Sequence, residues 1–172
     1  ESQKEYSSLD QFQGKADSII DFSYHTATKE LCDYAMQYRL SLVIATTGHT
    51  AEEQAVIENA SHKIPIFKSG NMSLGIALLA RLAKLAAQEF PEADIEIIEK
   101  HHNRKLDVPS GTALLLADGI KEVRPQSVFH IGRSENGRRD AHEIGIHSVR
   151  MGNEVGTHEI ILATDSQVIT LS

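Results

Sequence analysis

Between Glu99 and Ala113 the chain sets two adjacent histidines, His101 and His102, among the cations Lys100, Arg104 and Lys105 and ahead of the run Pro109-Ser110-Gly111-Thr112. These residue types suit the binding of a small anion and the delivery of a proton to it. An imidazole with an ordinary pKa of about 6.5 exchanges protons close to neutral pH. Lys105, four residues beyond His101, can supply a fixed positive charge for a carboxylate or pass a proton. Ser110 is a good N-cap, and the first N–H groups of the helix it opens, those of Gly111 and Thr112, have no partner within that helix. Free donors and the helix dipole together attract an anion. A small polycarboxylate or phosphate with a proton to receive is the expected ligand. Adjacent residues on a strand face opposite ways, so His101 and His102 carry different tasks. Lys100 and Arg104 read as solvated charge, and Asp107 as a residue that orients the loop. Arg150 closes the run Ile146-His147-Ser148-Val149-Arg150 and can reach a substrate carboxylate. His142, His147 and His158 do not make a zinc set: their spacing is wrong, no cysteine joins them, and strand alternation splits them. No metal is expected.

The elements that must position these residues follow from periodicity. Residues 94–101 alternate polar and apolar as a half-buried strand, and 111–123 read as a helix. Upstream, strands at 18–23, 42–45 and 64–67 alternate with helices at 25–38 and 51–60, the pattern of a parallel α/β sheet. Ala27, Leu31, Ala35 and Tyr38 form the expected inner side of the first helix, with Cys32 in its core. Each strand runs into a polar or glycine-containing loop, and ligands of open α/β sheets sit at those ends. A long helix at 72–89, with Leu74, Leu78, Leu82, Leu85 and Ala86 at helical spacing, leads to a different organisation. Strands at 127–131, 142–150, 155–163 and 168–171 join strand 94–101 in an α+β unit with a mixed or antiparallel sheet. The stretch 132–140, with Arg133, Arg138 and Arg139, reads as a polar, mobile loop. Two domains are expected, 1–71 and 72–172.

Composition narrows the classes of function. The chain has 172 residues, 41% of them hydrophobic, enough for a sizeable core. A net charge of −7 argues against a nucleic-acid partner. A lone Cys32 cannot form an internal disulfide and fits a reducing compartment. No apolar run has the length of a membrane span and no secretory signal opens the chain, so a soluble cytoplasmic protein is expected.

Glu99-x-His101-His102-x-x-Lys105-x-Asp107-x-Pro109-Ser110-Gly111-Thr112-Ala113 resembles the signature of the 4-hydroxy-tetrahydrodipicolinate reductase (dihydrodipicolinate reductase) family of lysine and diaminopimelate biosynthesis. Ile19-Ile20-Asp21-Phe22-Ser23, Ala45-Thr46-Thr47-Gly48, Ser69-Gly70-Asn71-Met72-Ser73-Leu74-Gly75 and Glu143-Ile144-Gly145-Ile146-His147-Ser148-Val149-Arg150 follow in the family's order. The resemblance implies a partial Rossmann-like parallel sheet followed by an α+β substrate domain. It also implies NAD(P)H-dependent reduction of 4-hydroxy-tetrahydrodipicolinate in a cytoplasmic homotetramer. His101 would be the general acid–base group with Lys105 beside it, while His102, Gly111 and Thr112 hold a substrate carboxylate. Ala45, Thr46 and Thr47 on one side, and Ser69, Gly70, Asn71 and Met72 on the other, would flank the nicotinamide of NADH or NADPH. Asn71 can also cap the long helix. Met151 stands where the family has a small residue, and Thr157 interrupts its usual Val-Gly-Glu-His run, which bears on packing and not on chemistry. No Gly-x-Gly-x-x-Gly turn follows a strand anywhere, so the chain reads as an internal fragment of the enzyme. Two other readings stand beside this one: an inactive folding and oligomerisation core, pairing through 159–162 and 168–171, or a two-domain dehydrogenase acting on an aspartate-derived aldehyde. The His-His-x-x-Lys run speaks against the latter.

Overall fold

The computed structural model describes residues 5–12 and 14–172; residues 1–4 and 13, within the first expected domain, lie outside it. The chain is an α/β protein that separates into two compact units, one up to Gly70 and one from Asn71 to Ser172.

In the first unit, β1 (Ser18–Asp21), β2 (Ser41–Ile44) and β3 (Ile66–Lys68) form a parallel sheet in that order. Helices α1 (Thr28–Tyr38) and α2 (Ala51–Ser61) connect them. Cys32, Ala35, Leu42, Ile44, Ile57, Ala60 and Ile64 are its core. Strand β1 stops two residues short of its expected end because the Asp21 carboxylate takes the Ser23 N–H (2.8 Å) and turns the chain. The inner face of α1 is Thr28, Cys32 and Ala35, whereas Tyr38 is 51% exposed. A 3₁₀ turn at His25–Ala27 precedes α1. With three residues per turn it shifts the phase of the helix that follows, and Ala27 and Tyr38 drop out of the expected stripe.

The second unit is a five-stranded mixed sheet, β5-β6-β4-β7-β8, with two helices. The strands are β4 (Asp94–His101), β5 (Val128–Ile131), β6 (Glu143–Arg150), β7 (Thr157–Ala163) and β8 (Val168–Leu171); the helices are α3 (Leu74–Glu89) and α4 (Gly111–Lys121). β4 is parallel to β6 and antiparallel to β7. Its inward row, Ile95 and Ile97, meets Ile144, Ile146, Ile160 and Leu162 under Ala113, Leu116, Ala117 and Ile120 of α4.

Helix α3 corrects the expected face. It buries Leu79, Ala83 and Ala87, while Leu74, Leu78, Leu82 and Leu85 are 87%, 53%, 42% and 53% exposed. Alanines let α3 approach α4 closely, so Ala83 and Ala87, with Leu79, face inward and the four leucines of the expected stripe do not. The N-cap is Ser73, whose hydroxyl accepts from the Ile76 N–H; Asn71 stands two residues earlier and accepts from the Ser73 N–H (2.8 Å). The loop at 132–140, expected to be mobile, is tied down: Arg139 donates to the carbonyls of Ile95, Asp140 and Glu143 and to the carboxylates of Asp94 and Glu96. Gly145 makes room for this cluster, because a Cβ there would lie 1.7 Å from a Glu96 carboxylate oxygen.

The other end of α3 is closed by Arg124, whose guanidinium donates to the carbonyls of Ala87 (3.1 Å), Ala93 (2.8 Å) and Phe90. Terminal helix carbonyls left without donors cost free energy when shielded from water. Arg124→Ala is expected to destabilise the protein by about 2 kcal/mol in urea denaturation. Arg124→Lys should recover little, since an ammonium lacks the planar fork that spans three carbonyls.

Candidate active site

Strand period carries the core row of β4 outward as Glu99 and His101. Register sets Arg150 of β6 beside His101, and His158 of β7 beside Glu99. The loop after β4 then returns Ser110 and the start of α4 over the same row. Glu99 is fully buried. Its Oε1 accepts from Arg150 Nη2 (2.7 Å) and from the Ser110 N–H (3.2 Å). Its Oε2 accepts from Arg150 Nη1 (2.7 Å) and meets His101 Nδ1 at 2.5 Å. Burial by itself would raise the Glu99 pKa, but the Arg150 guanidinium, the imidazole and the Ser110 N–H outweigh it and bring the carboxyl to about 2.

His158 is buried beside this group. Its Nε2 shares a hydrogen bond with Ser110 Oγ (3.1 Å), and its ring stands edge-on to His101 at 5.3 Å. Desolvation, helped by the neighbouring His101, lowers its pKa and favours the neutral ring. Ser110 Oγ also accepts from the Ala113 N–H (3.2 Å), so the N-cap of α4 is in place.

The expected catalytic and substrate-binding residues all lie around this helix start, within one unit. His101 ends β4 and is 8% exposed. His102 follows it, half-buried, with its Nδ1 shielded and without a hydrogen-bond partner. Lys105 pairs with Asp107 at 2.8 Å, and the lysine helps hold the Asp107 carboxyl below its ordinary range against the opposing effect of burial. Gly111 and Thr112 form the first turn of α4, and the Thr112 hydroxyl accepts from Asn71 Nδ2 (2.9 Å). Arg150 differs from its expected role: both terminal nitrogens are engaged with Glu99 and with the carbonyls of Val149 and Asp107. Sequence reasoning gave Glu99 no role and treated His158 only as a rejected metal ligand. The period-2 spacing of Glu99 and His101 is the signal that could have found the pair. Among the described residues, no group of three or more His, Cys, Asp or Glu side chains is arranged to hold a metal, and no helix is long and apolar enough to cross a membrane.

The expected cofactor residues divide between the units. Ala45, Thr46 and Thr47 leave the end of β2, and Ser69 and Gly70 leave the end of the adjacent β3, where the Ser69 N–H donates to Ile44 O (3.1 Å). Asp21, at the end of β1, is buried and accepts from the Thr46 hydroxyl (2.8 Å) and from Ser23. Burial opposes its charge, but these hydrogen bonds prevail and lower its pKa. His25 Nδ1 meets the Glu53 carboxylate (2.9 Å), which also completes the capping box of α2 with Thr50. Asn71 and Met72 belong to the second unit.

The family profile described as "Dihydrodipicolinate reductase, C-terminus" matches residues 75–172, and the N-terminal profile of the same family matches residues 2–72. The chain belongs to the dihydrodipicolinate reductase family. It is 49% identical over 169 residues to the 4-hydroxy-tetrahydrodipicolinate reductase of Caldanaerobacter subterraneus, covering 97% of this chain and 67% of that protein. It is 46% identical over 159 residues to the enzyme of that name from Clostridium tetani, covering 91% of this chain and 62% of that one. Among solved structures it is similar to a dipicolinate-bound dihydrodipicolinate reductase from Paenisporosarcina sp. TG-14: TM-score 0.67, 34% identity, 90% of this chain and 60% of that one. The chain thus spans roughly three fifths to two thirds of the length of these family members.

The site has a pH signature. Glu99 is ionised more readily in the folded protein than in an unfolded chain, where its pKa is near 4.5. Its stabilisation is therefore complete above about pH 4.5 and is lost as pH falls towards 2. Denaturation followed between pH 7 and pH 2.5 should show a loss on the order of 3 kcal/mol that is absent from Glu99→Gln.

Proposed function

We propose that this chain carries the substrate-binding and proton-donating part of an NAD(P)H-dependent reductase that converts 4-hydroxy-tetrahydrodipicolinate to tetrahydrodipicolinate with loss of water. The observation that carries this reading is the convergence of His101, Lys105 and the first turn of α4, Gly111 and Thr112, on one helix start. A flat ring bearing two carboxylates matches that set: one carboxylate on the N–H groups and the Thr112 hydroxyl, with His102 and Lys105 adding donors. His101 then protonates the charge that develops on the ring.

Ala45, Thr46, Thr47, Ser69 and Gly70, at the strand ends of the first unit, would hold the nicotinamide. Gly70 lies against Thr47, where a Cβ would sit 3.3 Å from the methyl, so the two loops form one continuous surface at the strand ends. When bound, the reduced nicotinamide supplies the hydride. The dipicolinate held by the Paenisporosarcina relative supports a cyclic dicarboxylate as the ligand here too. A cytoplasmic homotetramer is part of the same reading, and parallel assays with NADH and NADPH decide the cofactor.

Dipicolinate titrated into the isotopically labelled chain should shift the resonances of His102, Lys105, Gly111 and Thr112. Lys105→Ala and Thr112→Val should each weaken that binding by about tenfold, the loss of one charge-assisted hydrogen bond. A folded protein showing no shifts at millimolar dipicolinate would refute the site. In turnover assays of an enzyme carrying this chain at its relatives' full length, His101→Gln should lower kcat by roughly 10²–10⁴-fold with little change in KM. His102→Gln should act mainly on KM.

A further inference from the structure

We propose that Glu99 is the positioning residue of this site: by accepting a hydrogen bond from Nδ1–H of His101 it orients the ring and keeps that proton in place, so that the imidazolium gives the substrate its Nε2 proton and the neutral ring left behind is the Nδ1–H tautomer. The proposal rests on the reading of His101 as the proton donor and adds how that donor is set.

Three observations support it independently. First, Glu99 has no access to water, yet every partner around it favours its charged form. Arg150 contributes two donors at 2.7 Å and the Ser110 backbone a third at 3.2 Å. An ionised carboxylate only accepts hydrogen bonds. The hydrogen in the 2.5 Å contact to His101 is therefore on Nδ1. Second, the opposite edge of the ring is kept open. Gly156 lies against it, and a Cβ at that position would sit 2.9 Å from Nε2 and 3.2 Å from Cδ2. Any other residue there would cover the nitrogen meant to work. Third, among the described residues no other group is seen to compete for Nδ1. His158, approaching from β7, spends its Nε2 on Ser110 Oγ; Lys105 and Asp107 of the loop pair with each other; Arg150 of β6 turns its terminal nitrogens to Glu99 and to carbonyls. A purely structural Glu99–Arg150 pair would not require the histidine contact; the glycine at 156 also answers a backbone φ of +156°.

Glu99→Gln separates the two possibilities. The oxygen of a glutamine would be claimed by Arg150 and the Ser110 N–H, which offer only hydrogens. Its NH2 group would then face His101 Nδ1, which could only accept, and the ring would flip to the Nε2–H form. Long-range ¹H–¹⁵N correlation of the His101 ring, recorded on this chain at a pH where the ring is neutral, reads the tautomer without any substrate. The unsubstituted protein should show a protonated Nδ1 and a bare Nε2, Glu99→Gln the reverse, and Glu99→Asp a return towards the first pattern. In the full-length enzyme, Glu99→Gln should lower kcat by roughly 10²–10⁴-fold with KM nearly unchanged, because a neutral amide no longer supports the imidazolium that donates from Nε2. Should Glu99→Gln not fold, Glu99→Asp takes its place: its shorter carboxylate should keep the proton on Nδ1 but draw the ring out of place, and kcat should fall with KM nearly unchanged. An Nε2–H ring in the unsubstituted protein, or normal turnover in Glu99→Gln, overturns the proposal. An Nδ1–H ring in a protein that binds no dipicolinate supports the Glu99 contact and overturns only the functional reading.

Discussion

A carboxylate without water must be surrounded by hydrogen-bond donors, and the second unit is arranged around meeting that demand at Glu99. Left unpaired there, the charge would cost several kcal/mol. The guanidinium of β6 and the first N–H before α4 both have to arrive, so strand pairing, the loop from residue 102 to 109 and the helix start are coupled at one point. The same geometry lines up the imidazole, the cap serine and the open helix terminus. Stability and chemistry share these atoms, and a substitution in the group disturbs both.

The first unit repeats the device on a smaller scale. Asp21 is nearly buried and collects the Ser23 N–H and the hydroxyls of Ser23 and Thr46, which fixes the turns leaving β1 and β2. In both units an acid at or near the end of a strand accepts hydrogen bonds from the loop that the strand launches. The two acids do not react; they decide where neighbouring backbone goes.

Much of this architecture was legible in the residues. Alternation from Asp94 to His101 marked β4, and Ser110 marked the start of α4, because short-range pattern and capping chemistry are local. What was misread depended on partners far along the chain. Leu74, Leu78, Leu82 and Leu85 make the stronger apolar stripe, yet the alanine face of α3 is buried, since close approach to α4 outweighs the larger apolar area of leucine. Arg150 looked free for a ligand because its partner, Glu99, lies 51 positions earlier. The helix cap fell on Ser73 and not on Asn71, where two polar side chains of similar capping strength compete. The pairing of Glu99 with His101 was visible in the strand period, whereas the guanidinium that keeps that acid charged was not.

The central position of β4 also governs how the second unit comes into being. Neither of its neighbours is near it in sequence: Ile95 waits for Ile144 on one side, and Ile97 for Ile160 on the other. Closing loops of about 50 and 60 residues costs entropy before any pairing returns it, and topologies built on such distant contacts fold slowly. During synthesis β4 leaves the ribosome well before either partner, carrying Ile95, Ile97 and Ile98 in a segment with strong strand character. The charges at Asp94, Glu96, Glu99 and Lys100 punctuate that segment, and charges so placed oppose self-association of nascent chains until β6 and β7 arrive.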